Sequence, residues 1–389
     1  MDGQQIGIIA LVKSALTGGR AEIPENFDWN GALNTAKKHH IIPMLYYGVQ
    51  YSGITPPAEI MQFSELATFK NISVSQNQLY ALEQIYKAFD ENEIDYMPLK
   101  GSVLKFVYPK PEMRPMGDAD ILIKNEQTEK INAVISNLGY VKNESHKGDY
   151  DTVWDKKGVL HLELHWNIVS PINRVYYKYF QSGWQFARKE NNDSRKYEMA
   201  PEDNLVYLFT HFANHYRYGG IGIRHLTDFY IFIMKNSGLD NKKIESALSE
   251  MGLLQFYKNV LNTADVWFNG KNSTEITDFI TDKIFSSGSY GTRAAHNVSS
   301  EIRISGAKGK HRLIKKIFPA RSDMEHNFPI VKKHPILIPF LWVFRWVRAL
   351  LFRRKKIKSE YDNTKNVSSL QIDKYSEELK YVGLGFDED

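Results

Sequence analysis

The sequence predicts an α+β fold in which a small mixed sheet lies between an N-terminal and a C-terminal helical region. Apolar residues recur at helical spacing over residues 57–91, short apolar runs separated by turns follow, and helical spacing returns from Pro201. With 42% hydrophobic residues, the chain of 389 residues has enough apolar material for a large core. The predicted parts are helical residues 1–92, an α/β core at 93–198, helical residues 199–290, and a basic segment with a polar tail at 291–389.

The first part of the chain is predicted to be helical throughout. Ile6–Leu16 is a short apolar helix, and Asp28 lies at the start of a second helix that ends near Pro43. Residues 57–91 form the third and longest helix of this part. No strand pattern interrupts these residues.

The α/β core is predicted from changes of apolar period between residues 94 and 168. The sequence Lys156-Lys157-Gly158 is typical of a hairpin turn between the last two strands. The expected elements are a strand at Tyr96–Leu99, a helix at Val103–Tyr108 stopped by Pro109, a strand at Asp118–Ile123, a helix at Glu126–Leu138, and strands at Tyr140–Asn143, Asp151–Trp154 and Val159–Ile168.

The C-terminal half is predicted to be mainly helical, with two exceptions. Residues 286–307 are rich in Ser and Gly and are expected to form a loop, and the charged tail after Lys358 is expected to be poorly ordered. The longest apolar run, Ile336–Phe352, contains Pro339 and two arginines, which argues against a membrane span.

Asp118 and Asp120 are the most informative pair of residues in the chain. They stand two positions apart at the start of an apolar strand, so their side chains point to the same face. Two carboxylates held side by side repel each other unless a cation lies between them or one takes up a proton. The pair therefore predicts a cation site at this end of the strand.

The segment Lys100-Gly101-Ser102 precedes this pair and has the composition of a phosphate-binding turn. Gly101 permits a close backbone approach, and the Ser102 hydroxyl can cap the next helix or bind a phosphate. Lys100 and Arg114 either neutralise phosphate charge or form ion pairs with the aspartates. A phosphate-binding turn beside a carboxylate pair predicts metal-dependent transfer of a phosphoryl or nucleotidyl group.

A third carboxylate and several histidines lie further along the chain. Glu163 is inside an alternating apolar strand, where an ionised side chain is costly unless it is paired or binds a metal. His161 and His165 share its face, so a zinc site is one alternative. The aspartates favour a harder metal, with both histidines bordering the cleft or hydrogen-bonding its carboxylates.

His211 and His215 are interpreted as cleft-lining or core histidines. Arg224 and Asp228 stand four positions apart on a predicted helix and are interpreted as a helix-surface or interdomain pair.

The basic excess is concentrated near the C-terminus. The net charge is +5, and residues 307–358 hold much of it. This fits a phosphate-bearing partner or peripheral contact of residues 336–358 with an anionic membrane, with a solvated basic face as the alternative. Nucleic acid is a less favoured partner because it calls for a broader basic surface. The chain has no cysteine, which excludes thiolate chemistry and agrees with a cytoplasmic location.

The order of these motifs resembles that of the DNA polymerase β-type nucleotidyltransferase superfamily. Within it, the chain resembles an uncharacterised nucleotidyltransferase family, and the similarity covers most of residues 30–350. The segments that carry the resemblance are Leu99-Lys100-Gly101, Tyr108-Pro109, Arg114-Pro115-Met116 before Asp118-Ala119-Asp120, Leu138-Gly139-Tyr140, and Glu163-Leu164-His165-Trp166.

That resemblance implies a fold, a cofactor and an activity. The mixed sheet would be a nucleotidyltransferase core, with Asp118, Asp120 and Glu163 as catalytic ligands of Mg²⁺ or Mn²⁺. The third carboxylate of the superfamily is usually aspartate, and Glu163 is one methylene longer. The nucleotide would be bound by Lys100, Gly101, Ser102 and Arg114.

The implied reaction moves a nucleoside monophosphate from an NTP to a hydroxyl or phosphate acceptor. The acceptor would be a small molecule, a glycan precursor or a macromolecule, in a role linked to bacterial polysaccharide biosynthesis. The alternative is a non-catalytic nucleotide-binding or scaffold protein of a polysaccharide-assembly complex. Retention of both aspartates and of Glu163 favours the enzyme.

Overall fold

The computed structural model describes residues 1–146, 148, 150–288, 291–305, 317–321, 324–325, 328, 330–352 and 367–385. The helices are α1 (Gly3–Thr17), α2 (Trp29–His39), α3 (Ile42–Ser52), α4 (Ala58–Glu91), α5 (Gly101–Leu104), α6 (Thr128–Asn137), α7 (Arg174–Phe180), α8 (Pro201–Tyr218), α9 (Ile223–Lys235), α10 (Asn241–Glu250), α11 (Leu254–Phe268), α12 (Glu275–Ser287), α13 (Arg293–Ser305), α14 (Ile330–Lys333), α15 (Ile338–Phe352) and α16 (Ser369–Tyr381). The strands are β1 (Tyr96–Leu99), β2 (Ala119–Ile123), β3 (Val141–Lys142), β4 (Asp151–Lys156), β5 (Leu160–His165), β6 (Ala187–Lys189) and β7 (Tyr197–Met199).

The main sheet is mixed, as the sequence predicts. Its strand order is β1-β2-β5-β4-β3, and β6 pairs with β7 in a separate two-stranded sheet. Strands β2 and β5 run parallel, while the other neighbours in the main sheet are antiparallel. The α+β fold class is therefore confirmed.

One face of the main sheet packs against α4 and α6. Alternate residues of β2 and β5, among them Ile121 and Leu162, join Phe89 of α4 and Ile135 of α6 in a buried apolar cluster. Because strand side chains alternate, the residues between them point to the opposite face. That face carries Asp120 and Glu163.

The described chain forms two compact units. The first contains residues 1–214 and 221–290, and the second contains residues 215–220 and 291–388. The sequence-based division into four parts stays a prediction. No helix in the described ranges is long and apolar enough to cross a membrane.

Two helices differ from the sequence predictions within the first unit. A helix was expected at Val103–Tyr108, but α5 ends at Leu104, and the N–H groups of Phe106 and Val107 bond three residues back, as in turns. The two prolines at positions 109 and 111 cannot continue a helix. Helix α3 was missed because Pro43 was read as a stop, whereas it lies in the first turn, where its missing N–H has no cost.

Two further predictions are wrong in the second unit. Residues 286–307 were expected to be a loop, but 293–305 form α13, in which Val298 and Ile302 are buried one turn apart. The tail contains α16, which begins with a capping box at Ser368 and buries Ile372 and Leu379. In both segments, burial of a few apolar side chains stabilises a helix although the overall composition is polar. Residues 359–366 of the tail lie outside the described residues.

Candidate active site

The parallel pair of strands β2 and β5 brings together the residues that carry the chemistry. Asp120 lies directly opposite Glu163 in the register, and Leu122 lies opposite His165. Since His165 follows Glu163 by two positions, both side chains share the face of Asp120. Strand pairing therefore places two carboxylates and one imidazole side by side.

The ligand atoms of Asp120, Glu163 and His165 all lie within 4.8 Å of one another. His165 Nε2 is 3.0 Å from Asp120 Oδ1 and 3.4 Å from Glu163 Oε2. Asp118 is not a member of this group and lies just before β2 on the exposed side. We call Asp120, Glu163 and His165 the acidic cluster.

Lys100 supplies a positive charge to the acidic cluster. Its Nζ donates a hydrogen bond of 2.7 Å to Asp120 Oδ1. Burial opposes the charge of Lys100, but the carboxylate of Asp120 outweighs it and raises the lysine pKa well above its usual range. Of the two roles predicted for Lys100, ion pairing is what the structure displays; phosphate binding stays a prediction.

Contacts within the cluster and with Lys100 shift the pKa of each of its members. Burial opposes the charge of Asp120, but Lys100 and the hydrogen bonds with His165 and Lys100 hold its pKa well below the usual range. The hydrogen bond with His165 lowers the pKa of Glu163. For His165, burial favours the neutral ring, yet the bonds to both carboxylates raise its pKa.

Asp118 has a different environment from Asp120. Its side chain reaches the surface, but the surrounding protein removes part of its solvent. This desolvation and the negative charge of Asp120 raise the pKa of Asp118, against the opposing effect of Lys100. A bound cation would relieve that repulsion, as the sequence analysis expects.

The donor set of the acidic cluster fits a divalent cation. Two carboxylates and an imidazole are common ligands of such ions. The other ring nitrogen of His165, Nδ1, is buried without a hydrogen-bond partner, so the second hydrogen bond that usually orients a metal-binding histidine is missing. Among the described residues, His161 is not a member of this group, and the zinc site of His161, Glu163 and His165 stays an alternative prediction.

The turn at Lys100-Gly101-Ser102 has a constrained backbone. Lys100 has φ of 43°, a region in which a residue other than glycine is strained by about 1–3 kcal/mol. At Gly101, an added Cβ would lie 2.6 Å from Nη1 of Arg114, so only glycine fits. Ser102 is 3% exposed, and its hydroxyl has no hydrogen-bond partner.

Ser102 also lines a cleft of about 1140 Å³ beside α4 and α5. None of the four histidines singled out in the sequence is among its lining residues. Helix α5 has four residues, too few for a substantial macrodipole. What the turn offers a phosphate is therefore the Ser102 hydroxyl, since Gly101 is buried against Arg114 and Met116.

Arg114 is held by a residue that the sequence analysis paired otherwise. Its Nε and Nη2 donate to the two carboxylate oxygens of Asp228, at 3.2 and 3.1 Å. Tyr108 donates a further hydrogen bond of 2.7 Å to Asp228, and Arg224, first considered the partner of Asp228, donates to the carbonyl of Pro115. These bonds tie the segment before β2 to α9. Nucleotide binding by Arg114 stays a prediction.

The remaining histidines lie around the cluster or away from it. His161 Nδ1 is 2.6 Å from Asp155 Oδ1, and its Nε2 is 3.7 Å from Glu163 Oε1. His211 and His215 are partly buried on α8 and are not members of the acidic cluster. A cleft-lining role for these residues stays a prediction.

Two tyrosines were missed by the sequence analysis. The Tyr150 ring lies 5.6 Å from the ring of His165. Tyr207 of α8 is 2% exposed, its hydroxyl has no partner, and Lys100 and Asp120 both influence its pKa, which burial raises. Neither tyrosine belongs to a sequence motif. Only the fold shows that Tyr150, just before β4, and Tyr207, on α8, lie near the acidic cluster.

Comparisons with known proteins show the family of the chain. A model of a family described as uncharacterised nucleotidyltransferase matches residues 25–269. A search of curated proteins found no significant match. A structure described as the solution structure of the antibiotic-resistance factor ANT(2'')-Ia is similar at 14% identity, over 45% of this chain and 91% of that chain, with a TM-score of 0.33. The family match spans more than half of the chain, so the protein belongs to this uncharacterised family of nucleotidyltransferase enzymes.

Proposed function

We propose that the protein transfers a nucleoside monophosphate from an NTP to a hydroxyl or phosphate acceptor in a reaction that depends on Mg²⁺ or Mn²⁺. The observation that carries the proposal is the acidic cluster, Asp120, Glu163 and His165, whose ligand atoms lie within 4.8 Å. Its position on β2 and β5, next to the turn at Gly101, supports binding of a metal-bound triphosphate.

In this reaction an acceptor oxygen forms a bond to the α-phosphorus, and the bond to the pyrophosphate oxygen breaks. The acceptor proton passes to a carboxylate of the site, and pyrophosphate leaves. A divalent cation, when bound, would offset the charge of the triphosphate and of the leaving pyrophosphate. Asp120 and Glu163 would hold it with Asp118, while Lys100 and the Ser102 hydroxyl would contact phosphate oxygens.

His165 bears on the choice of cation. Mg²⁺ prefers oxygen ligands, whereas Mn²⁺ accepts imidazole more readily. His165 Nε2 lies 3.0 Å from Asp120 Oδ1, and once deprotonated it would give the cation a nitrogen ligand beside the carboxylates, which supports Mn²⁺ as the tighter-binding ion. The acceptor is proposed only by class: a small molecule, a glycan precursor or a macromolecule. A cytoplasmic location and a link to polysaccharide assembly are part of the same proposal.

The first prediction tests the metal site by substitution. We expect Asp120→Asn and Asp118→Asn to reduce transfer to background, and Mn²⁺ to bind Asp120→Asn at least about tenfold more weakly. Labelled NTPs, Mn²⁺ or Mg²⁺ and cell extract provide the transfer assay, and electron paramagnetic resonance of free Mn²⁺ measures binding.

The matched control is Asp155→Asn on the neighbouring strand. Asp155 is 49% exposed and pairs with His161 outside the acidic cluster, so this variant should retain activity. Full activity of either variant at 118 or 120 would contradict the metal site. NTP binding without any labelled product would favour the alternative, a non-catalytic nucleotide-binding or scaffold protein.

A further inference from the structure

The second unit carries an exposed apolar stripe that nucleotidyl transfer does not use. In α15, Phe340, Val343, Phe344 and Val347 are spaced three or four residues apart and are 72%, 52%, 53% and 50% exposed. They fall within about 100° of the helix circumference, because each residue turns the helix by about 100°. Helices on protein surfaces usually turn polar residues outward, so α15 presents the opposite pattern.

The inner face of α15 is fixed by its tryptophans. Trp342 Nε1 donates to the carbonyl of Pro319 at 3.3 Å, and Trp346 Nε1 donates to that of Ile317 at 2.8 Å. The ring of Phe318 packs edge-on against both indoles, with centroids 5.1 Å apart in each case. These contacts hold the helix in one rotation, which keeps the apolar stripe outward.

The charge around the stripe has one sign. Between positions 326 and 359 the sequence contains nine Lys and Arg residues and no Asp or Glu. Lys332 and Lys333 are exposed at the end of α14, and Arg348 is exposed one turn after Phe344. Long basic side chains beside an apolar face can reach headgroups while their methylene groups stay in the apolar layer.

We propose that α15 and the basic residues around it form a docking surface for an anionic lipid bilayer. The apolar stripe would enter the boundary between headgroups and acyl chains, and Lys332, Lys333 and Arg348 would contact lipid phosphates. A second copy of the chain fits less well, since a two-fold contact through the stripe would bring these like charges together. The proposal does not depend on the transfer activity.

Flotation of the full-length protein with vesicles tests the proposal. We expect it to float with phosphatidylcholine vesicles that contain phosphatidylserine, and much less with phosphatidylcholine alone. The double variant Phe340→Ser, Phe344→Ser should lower the partition coefficient by at least about tenfold, because two apolar rings no longer leave water. The matched control is Leu370→Ser on α16, where the side chain is 76% exposed. This variant should bind vesicles as the unmodified chain does.

The charged part of the surface has its own variant. Lys332→Gln with Lys333→Gln leaves every buried side chain intact and should weaken binding by more than about tenfold, at about 1 kcal/mol per charge. The proposal is overturned if the chain ignores anionic vesicles, or if both double variants bind as tightly as the unmodified chain. It is also overturned if light scattering shows a dimer that the double phenylalanine variant abolishes, because a second copy would then cover the stripe.

Discussion

Asp120 is buried and accepts hydrogen bonds from Lys100 and His165. Lys100 and His165 approach its Oδ1 at 2.7 and 3.0 Å, and Asp120 is 2% exposed. A buried carboxylate is stable only when such partners offset its desolvation. A metal ion at the acidic cluster would therefore compete with Lys100 for the same oxygen.

The second prediction follows from this competition. Lys100→Met removes a positive charge beside a proposed ligand, so we expect Mn²⁺ to bind about tenfold more tightly, while NTP binding weakens because a phosphate contact is lost. Mn²⁺ titration and NTP calorimetry measure the two effects separately. Unchanged NTP affinity would show that Lys100 is an ion-pair partner alone.

Arg114 shows how a residue's partner can lie far away in the sequence. Its two hydrogen bonds go to Asp228, 114 positions later, and a third bond to the same carboxylate comes from Tyr108. The spacing of Arg224 and Asp228 on one helix favoured a local pair. Asp228 is only 8% exposed, and its carboxylate is bonded to Arg114 and Tyr108, which the fold brings beside it. Spacing along one helix cannot reveal this burial.

A single histidine of α2, His39, forms hydrogen bonds with the backbone of two other helices, α9 and α12. His39 is completely buried; its Nδ1 accepts the backbone N–H of Ile223 at 3.1 Å, and its Nε2 lies 3.2 Å from the carbonyl of Phe285. Both nitrogens are therefore used by the neutral ring. Burial lowers the pKa of His39 to about 4, because the protonated ring would lose its solvation, and the neighbouring charge of Lys38 acts in the same direction.

The third prediction concerns the pH dependence of stability. The unfolded chain takes up a proton at His39 below a pH of about 6.5, whereas the folded chain does so only near pH 4. The free energy of unfolding should therefore fall by on the order of 3 kcal/mol as the pH drops from about 6.5 to about 4. Urea denaturation across this range measures the fall.

The control for His39 is His39→Gln. Glutamine can also donate and accept a hydrogen bond but does not titrate. The free energy of unfolding of this variant should therefore change less with pH between about 6.5 and about 4. Equal slopes for the unmodified chain and the variant would show that other groups cause the pH dependence.

At the scale of the whole molecule, the chain has two compact units, each of which buries apolar side chains. Ile135 is completely buried in the first, and Leu379 is 1% exposed in the second. Chains with more than one unit often depart from a single two-state transition. The second unit also carries the apolar stripe, so its stability bears on the proposed membrane contact.

The fourth prediction is that thermal unfolding proceeds in two transitions. Leu379→Ala and Ile135→Ala should each destabilise only the unit that contains the residue, by about 2–5 kcal/mol. Differential scanning calorimetry resolves which transition moves. A single transition that both variants shift equally would show that the units unfold together.

The sequence predicts the elements of the site better than its contacts. Asp120 and Glu163 were expected to lie together, since both stand in apolar strands of one predicted sheet, and the register confirms that they are adjacent. His165 was expected to border the cleft or to hydrogen-bond its carboxylates, and its Nε2 lies 3.0 Å from Asp120 Oδ1 and 3.4 Å from Glu163 Oε2. Tyr207 could not be predicted, because nothing local distinguishes one helical tyrosine from another.

By itself, the sequence determined the mixed sheet, the family and the two strands that carry the carboxylates. Alternation of apolar side chains sets which residues share a face, and that information is local. The tertiary structure alone decided that Lys100 and His165 bind Asp120, that Asp228 holds Arg114, and that α15 turns its apolar side outward. These contacts form because buried polar groups need hydrogen-bond or ion-pair partners, and which groups are buried depends on the packing of the whole chain.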